Sequence, residues 1–240
     1  MLVQAGSRGA VGNVDPGAVL VTGGASGLGA AIAQAVGHAG GTPVVLDRVA
    51  PAFDTDHEVV DLVDRRDSEA AVARVIARHP DLRGVVTAAG TDACGRLEDV
   101  AAEDWERVIA VNLLGTVSVV RAALPTLEAN GGRVVTVSST LGLRALSDAT
   151  AYCASKFAVV GFTRALAAET AGRIGVTLLV PGGMHTAFFD SREDRYKPPA
   201  DAKLNRPEDV ADAVLFALRQ PPGCELRELV VAPSLESSWP

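Results

Sequence analysis

Long apolar runs, basic excess and paired cysteines are all scarce in this chain, and each scarcity excludes something. No apolar stretch approaches the ~20 residues of a membrane span, and the first residues lack the charged-then-apolar pattern of a signal peptide, so neither a membrane partner nor secretion is expected. Cations are outnumbered, 22 Lys and Arg against 29 Asp and Glu, for a formal net charge of −7. That balance argues against nucleic acid as a partner and against an anionic membrane surface. Cys94, Cys153 and Cys224 show neither metal-ligand spacing nor an even disulfide framework. No metal is expected, and a reducing, cytoplasmic compartment is. Aromatic residues are only 4% of the chain, so the core must come from small aliphatic side chains.

Those side chains are plentiful: 48% of residues are hydrophobic, and 24 glycines suit helices packed closely on a sheet. Residues 1–16 are Gly-rich and aperiodic and read as a flexible tail. From residue 17 to 240 strand and helix patterns alternate without a linker or a composition break. Strands are expected at Ala18–Thr22, Thr42–Leu46, Glu58–Val60, Arg83–Ala88, Gly132–Val137, Ile174–Val180 and Glu228–Val231. Helices are expected after Gly29, over Asp67–Arg78 and Glu103–Leu127, from Tyr152 onward, and over Pro207–Arg219, which opens on Pro-Glu-Asp. This βαβα order predicts one doubly wound α/β domain of Rossmann type. Its mostly parallel sheet has about seven strands with helices on both faces, and its ligand crevice lies at the carboxyl ends of the strands. The irregular stretch 187–206, with Pro198 and Pro199, reads as a substrate flap.

Three groups of residues carry chemistry. The first strand runs into Gly23, Ser26, Gly27, Leu28 and Gly29 and then a helix. Glycines let backbone approach a pyrophosphate, and the helix N-terminus offers unpaired N–H groups and a positive dipole. Eighteen residues after Gly29, Asp47 closes the second strand, where a carboxylate can accept hydrogen bonds from an adenosine ribose and would repel an additional phosphate. Arg48 beside it points the other way, toward NADP, but Ser26 stands where a basic residue would help, so the reading is NAD over NADP. Asp61 and Leu62 end the third strand, placed to meet the adenine. Ala88, Ala89 and Gly90 form a small-residue turn against which a cofactor can lie.

The third group is Tyr152-x-x-x-Lys156, one turn apart on a helix face. Tyrosine titrates near ~10, too high for a base at neutral pH. A cation at about 4 Å in an effective dielectric near ~20 is worth roughly 4 kcal/mol, enough to draw the phenol toward working pH before desolvation subtracts its share. Ser139, thirteen residues earlier at a strand end, can supply a hydroxyl to the same reacting oxygen. Asn112, in mid-helix, reads on its own as an interhelical hydrogen-bonder. Leu141, Leu143, Leu146, Met184, Phe188 and Phe189 fall in segments expected around the crevice and suggest a partly apolar substrate. Cys153 has no conspicuous basic neighbour and reads as a small buried residue.

In this order, TGGASGLG at 22–29, Asp47, Asp61, AAG at 88–90, Asn112, Ser139, Tyr152-x-x-x-Lys156 and Pro181-Gly182 resemble the short-chain dehydrogenase/reductase family, from Gly17 to Val231. The resemblance implies hydride transfer between a secondary alcohol or ketone and a nicotinamide. Tyr152 would exchange the proton with the substrate oxygen and Ser139 would hydrogen-bond that oxygen. Lys156 would bind the nicotinamide ribose, and Asn112 would hold a water linking Lys156 to solvent. Pro181, Gly182, Met184 and Thr186 would orient the carboxamide. It also implies a homodimer or homotetramer packed through the two long helices, where Ala151, Ala154, Ala158 and Ala165 allow close approach. Two departures stand out: Thr87-Ala88-Ala89-Gly90 replaces the usual Asn-Asn-Ala-Gly, and Met184 takes a position commonly β-branched. An NADPH-dependent 3-oxoacyl or polyketide ketoreductase is the alternative within the enzyme class. A non-catalytic dinucleotide-binding regulator is the alternative outside it.

Overall fold

The computed structural model describes residues 14–236 and 238. Seven strands, β1 (Ala18–Thr22), β2 (Thr42–Asp47), β3 (Asp56–Val59), β4 (Leu82–Thr87), β5 (Arg133–Val137), β6 (Gly175–Pro181) and β7 (Glu228–Val231), form one parallel sheet in the order 3-2-1-4-5-6-7. The order reverses between β1 and β4, which opens a crevice at their carboxyl ends. The central strands are covered on both faces and therefore read as unbroken apolar runs: every residue of β1 and β6 is buried.

Alternate residues feed two cores. Val19, Val21 and Val45 pack with Ile32, Val36, Val210 and Val214 of helices α1 (Gly27–His38) and α6 (Pro207–Leu218). Leu20, Val44 and Leu46 pack on the other face with Val72, Val75, Val119, Leu127 and Leu166, from α2 (Arg65–Arg78), α4 (Thr116–Asn130) and α5 (Thr150–Glu169). Asp64 caps α2, its Oδ1 accepting from the amides of Arg66 and Asp67 at 3.0 Å each. Asp64→Ala should therefore cost about 1 kcal/mol, read as a lower urea midpoint with an unchanged slope.

Two expectations need correction. The third strand is Asp56–Val59, not Glu58–Val60. The helix expected over Glu103–Leu127 runs from Ala102 to Asn130, as α3 (Ala102–Ile109), a π-helical turn over Ala110–Gly115, and α4. Among the described residues it is the helix long and apolar enough to match a membrane span by length and composition, contrary to the expectation that no stretch approaches one. In the fold it packs against α2, α5 and β4. Of the tail expected at 1–16, residues 1–13 lie outside the described residues; Asp15 Oδ1 accepts the Gly17 amide at 2.8 Å and Arg219 Nε donates to the Val14 carbonyl at 2.8 Å.

Candidate active site

One pocket of about 950 Å3 opens at the carboxyl ends of the strands. Its first wall is the turn from β1 into α1. Gly23 has φ +69, and a Cβ there would lie 2.7 Å from Ala89 Cα. The Gly23 amide donates to the Leu46 carbonyl at 2.8 Å, and the Ala89 amide donates to Thr22 Oγ1 at 3.1 Å, so three strand ends are laced together. Ser26 begins α1 without a side-chain cap, leaving the helix N-terminal donors to the pocket that Ser26, Gly27, Leu28 and Gly29 line.

The second wall carries the acids. Asp47, at the tip of β2, accepts the Ala25 amide on Oδ2 at 3.0 Å. Arg48 beside it is exposed and also lines the pocket. Asp61 pairs with Arg107 at 2.9 Å. Burial opposes the Asp61 charge, but Arg107, the Val63 amide and Arg48 together hold it below the usual carboxylate range. Leu62 is buried against Gly115, where the π-helical turn meets α4.

Asn112 sits inside that turn, buried, and is used as a clamp. Its Oδ1 accepts the Thr91 amide at 2.8 Å while its Nδ2 donates to the Thr91 carbonyl at 2.9 Å and to Ser155 Oγ at 3.0 Å. One amide thereby joins the loop after β4 to α5. A π turn inside an α-helix is uncommon and frequently accompanies a functional site. Gly90 lies beside the clamp: a Cβ there would be 3.6 Å from Asn112 Oδ1 and 3.7 Å from Lys156 Nζ.

On the floor of the pocket β5 delivers Ser138 and Ser139. Ser138 Oγ donates to the Lys156 carbonyl at 2.9 Å, holding α5 to the strand. Ser139 lines the pocket with the half-buried Tyr152, lowers the cost of ionising its hydroxyl, and accepts the Leu141 amide at 3.1 Å. Lys156, 4% exposed, donates to the Val137 carbonyl at 3.0 Å, and its Nζ lies 5.6 Å from the centre of the Tyr152 ring. Burial pushes the phenol up to about 12, with the Ser139 hydrogen bond opposing. Burial pushes the ammonium down to about 8, with Asp92 opposing. Desolvation, which the sequence estimate set against the pull of Lys156, is the largest influence on each group.

Beyond β6, Pro181, Gly182, Met184 and Thr186 line the pocket opposite the glycine turn. Asn205 pins the returning chain there, its amide donating to the Gly183 carbonyl and its carbonyl accepting the His185 amide, each at 2.9 Å. Of the apolar residues expected around the crevice, Leu141, Leu146, Met184, Phe188 and Phe189 line it, whereas Leu143 packs into a core with Val160 and Leu178. His185 is exposed. Burial pushes the Cys94 thiol up to about 12, which makes it a poor nucleophile.

Sequence reasoning missed several lining residues. Glu236 accepts the Gly183 amide at 2.8 Å and Ser238 bonds Thr140 Oγ1 at 2.7 Å, both from the C-terminal segment, where no motif marks them. Arg107 and Arg192 were also missed; only their positive charge in elements near the crevice could have suggested them.

The donor set fits a dinucleotide. Backbone too crowded for side chains meets an uncapped helix N-terminus, a carboxylate stands at the tip of β2, and a buried ammonium is spent on one carbonyl among the described residues. Residues 17–197 match the profile of a family described as short chain dehydrogenase. The chain is 32% identical over 227 residues to an uncharacterised oxidoreductase of Staphylococcus aureus, covering 89% of this chain and 96% of that one. It is 30% identical over 233 residues to the glycine betaine reductase of Emericella nidulans, covering 89% of this chain but spanning only 18% of that protein's length. Among solved structures, an actinorhodin polyketide ketoreductase with NADPH superposes with a TM-score of 0.82 at 28% identity, covering 92% and 97% of the two chains. The aldohexose dehydrogenase of Thermoplasma acidophilum superposes equally well, with a TM-score of 0.82 over 90% and 92%, at 24% identity.

Proposed function

The chain belongs to the short-chain dehydrogenase family and is an oxidoreductase that binds a nicotinamide dinucleotide; from that premise we propose that it interconverts a secondary alcohol and its ketone with NAD(H), Tyr152 serving as the acid/base. The observation that carries this reading is that Tyr152, Ser139 and the buried Lys156, whose ammonium stands beside the Tyr152 ring, line the same pocket as the glycine turn. The dinucleotide, when bound, supplies a carbon that accepts or releases hydride. The protein does the rest. Ser139 holds the substrate oxygen and Tyr152 takes or returns its proton. Lys156 supplies positive charge where the phenolate develops, in a water-poor site where such preorganised charge is most effective. Asn112 is proposed to steady the loop after β4 and, with a held water, the proton exit from Lys156. The turn from Gly23 to Gly29, with Asp61, Leu62 and Ala88–Gly90, would hold the adenosine and pyrophosphate; Pro181 to Thr186 would hold the nicotinamide.

NAD over NADP rests on Asp47, whose carboxylate already accepts the Ala25 amide and would meet a ribose phosphate with like charge. Asp47→Ser is expected to lower kcat/KM with NAD by about tenfold or more, the worth of a charge-assisted hydrogen bond, and to raise the relative use of NADP. The exposed Arg48 favours a second reading, an NADPH-dependent ketoreductase, as does the likeness to the polyketide ketoreductase. Secondary alcohols and ketones assayed by absorbance of the reduced nicotinamide, with both dinucleotides, separate the two: a strong NADPH preference in the unaltered protein overturns the use made of Asp47. Assembly as a homodimer or homotetramer through the two long helices is also proposed, since Leu114 and Phe157 stand exposed there.

A further inference from the structure

We propose that Arg192 is a positioning residue for this reaction: anchored on Asp92, it clamps the segment after β6 across the substrate end of the pocket and sets Phe188 against the Tyr152 ring. The proposal rests on the oxidoreductase reading of the same pocket. Arg192 Nη2 meets Asp92 Oδ2 at 2.5 Å, joining positions one hundred residues apart. The side chains are 17% and 7% exposed, so this pair, unlike a screened surface pair, is mostly desolvated and its loss leaves a buried charge. Asp92 is itself held, accepting the Ala93 amide on Oδ1 at 2.7 Å and the Cys94 thiol on Oδ2 at 3.2 Å. The guanidinium lies 5.0 Å from the centre of the Phe188 ring and 4.6 Å from that of Phe189. Its Nε is buried with no hydrogen-bond partner among the described residues, so the ring faces are what compensate it. Phe188 in turn packs 5.8 Å from the Tyr152 ring. A second tie runs from the same segment, the Tyr196 hydroxyl donating to Asp148 Oδ2 at 3.2 Å just before α5.

The clasp brings two opposite charges to the surroundings of Tyr152. Lys156 of α5 stands beside the Tyr152 ring, and the other groups that act on its hydroxyl are Cys153 from α5, Ser139 from the end of β5, Asp92 from the loop after β4, and Arg192 from the segment after β6. Asp92 disfavours the phenolate and Arg192 favours it, so the two ends of one ion pair act on the proton transfer with opposite sign. A merely structural strap would not separate them.

The test compares Arg192→Gln, Asp92→Asn and Arg192→Lys in the full chain. In Arg192→Gln the KM for the alcohol should rise about tenfold or more while the dinucleotide KM stays within about twofold. Its pH limb of kcat/KM for oxidation should move to higher pH. In Asp92→Asn the limb should move to lower pH. Arg192→Lys should return the limb toward that of the unaltered protein but keep the raised KM, because an ammonium lacks the planar fork that stacks on rings and grips a carboxylate. Hydrogen exchange of residues 187–197 should accelerate in Arg192→Gln. Limbs shifting together or not at all, an unchanged alcohol KM, or unchanged exchange would overturn the clasp. The exchange measurement needs no substrate and decides the clasp by itself. Absence of turnover in the unaltered protein would count against the oxidoreductase reading alone.

Discussion

Tyr152→Phe should lower kcat for alcohol oxidation by roughly a thousandfold, within the range that a positioned acid/base contributes, while dinucleotide affinity changes little. Phenylalanine keeps the ring against Phe188 and removes only the hydroxyl, so a folded, dinucleotide-binding protein should remain. Retention of most activity on a genuine substrate would sink the acid/base assignment. The pH dependence follows from the two buried groups. With the phenol pushed up to about 12 and the ammonium down to about 8, the first of the two protons at Tyr152 and Lys156 leaves near pH 8. Oxidation needs the pair one proton short, so its kcat/KM should rise with pH through about 8 and level above it. Ketone reduction needs that proton and should fall through the same range. In Tyr152→Phe the rise should vanish from whatever rate remains, which a pH profile of the variant reads directly.

The sequence estimate left desolvation unweighed, and what it lacked is geometric. Helical spacing places Lys156 one turn from Tyr152, but it does not reveal that Nζ reaches back to the Val137 carbonyl and stands off the ring. The same limit runs through the molecule. β1, β2 and β7 were legible almost to the residue, since the inner parallel strands are continuous apolar runs and the last is a short one. β3 was misplaced because it is an edge strand of alternating character: Asp56 and Glu58 stand on one side, tied to Arg78 and Arg74 of α2 at 3.0 and 2.8 Å. Those two carboxylates look like loop residues until α2 is beside them. The glycine turn and the Tyr–Lys pair could be read because their spacing is local. The π-helical turn around Asn112 carries no proline, and the Asp92–Arg192 pair joins two loops with no periodicity between them. Local chemistry was visible; contacts made by loops across the crevice were not.

Gly29→Ala should be among the most damaging single substitutions in the chain, and it touches no catalytic group. A Cβ at Gly29 would lie 2.2 Å from the Gly23 carbonyl oxygen and 2.6 Å from its carbon, backbone atoms that no rotamer change can move aside. Either α1 lifts from the sheet, uncovering Ile32 and Val36 in the core, or the turn at Gly23 shifts from the Leu46 carbonyl and Ala89 that hold it. Overpacking commonly costs ~1–3 kcal/mol and more where backbone must move, so about 3 kcal/mol is expected, seen as a thermal midpoint lower by roughly ten degrees. Dinucleotide affinity should fall with it, because the turn that moves is the one whose donors face the pocket. Gly161→Ala provides the contrast in the same chain. Gly161 lies within α5, a Cβ there meets nothing within 4 Å, and its φ is not positive, so alanine should stabilise by up to ~1 kcal/mol through helix propensity alone. Opposite signs for two Gly→Ala changes in helices, read by thermal denaturation with and without dinucleotide, would show that α1 is seated by backbone contact with the turn; equal effects would refute it.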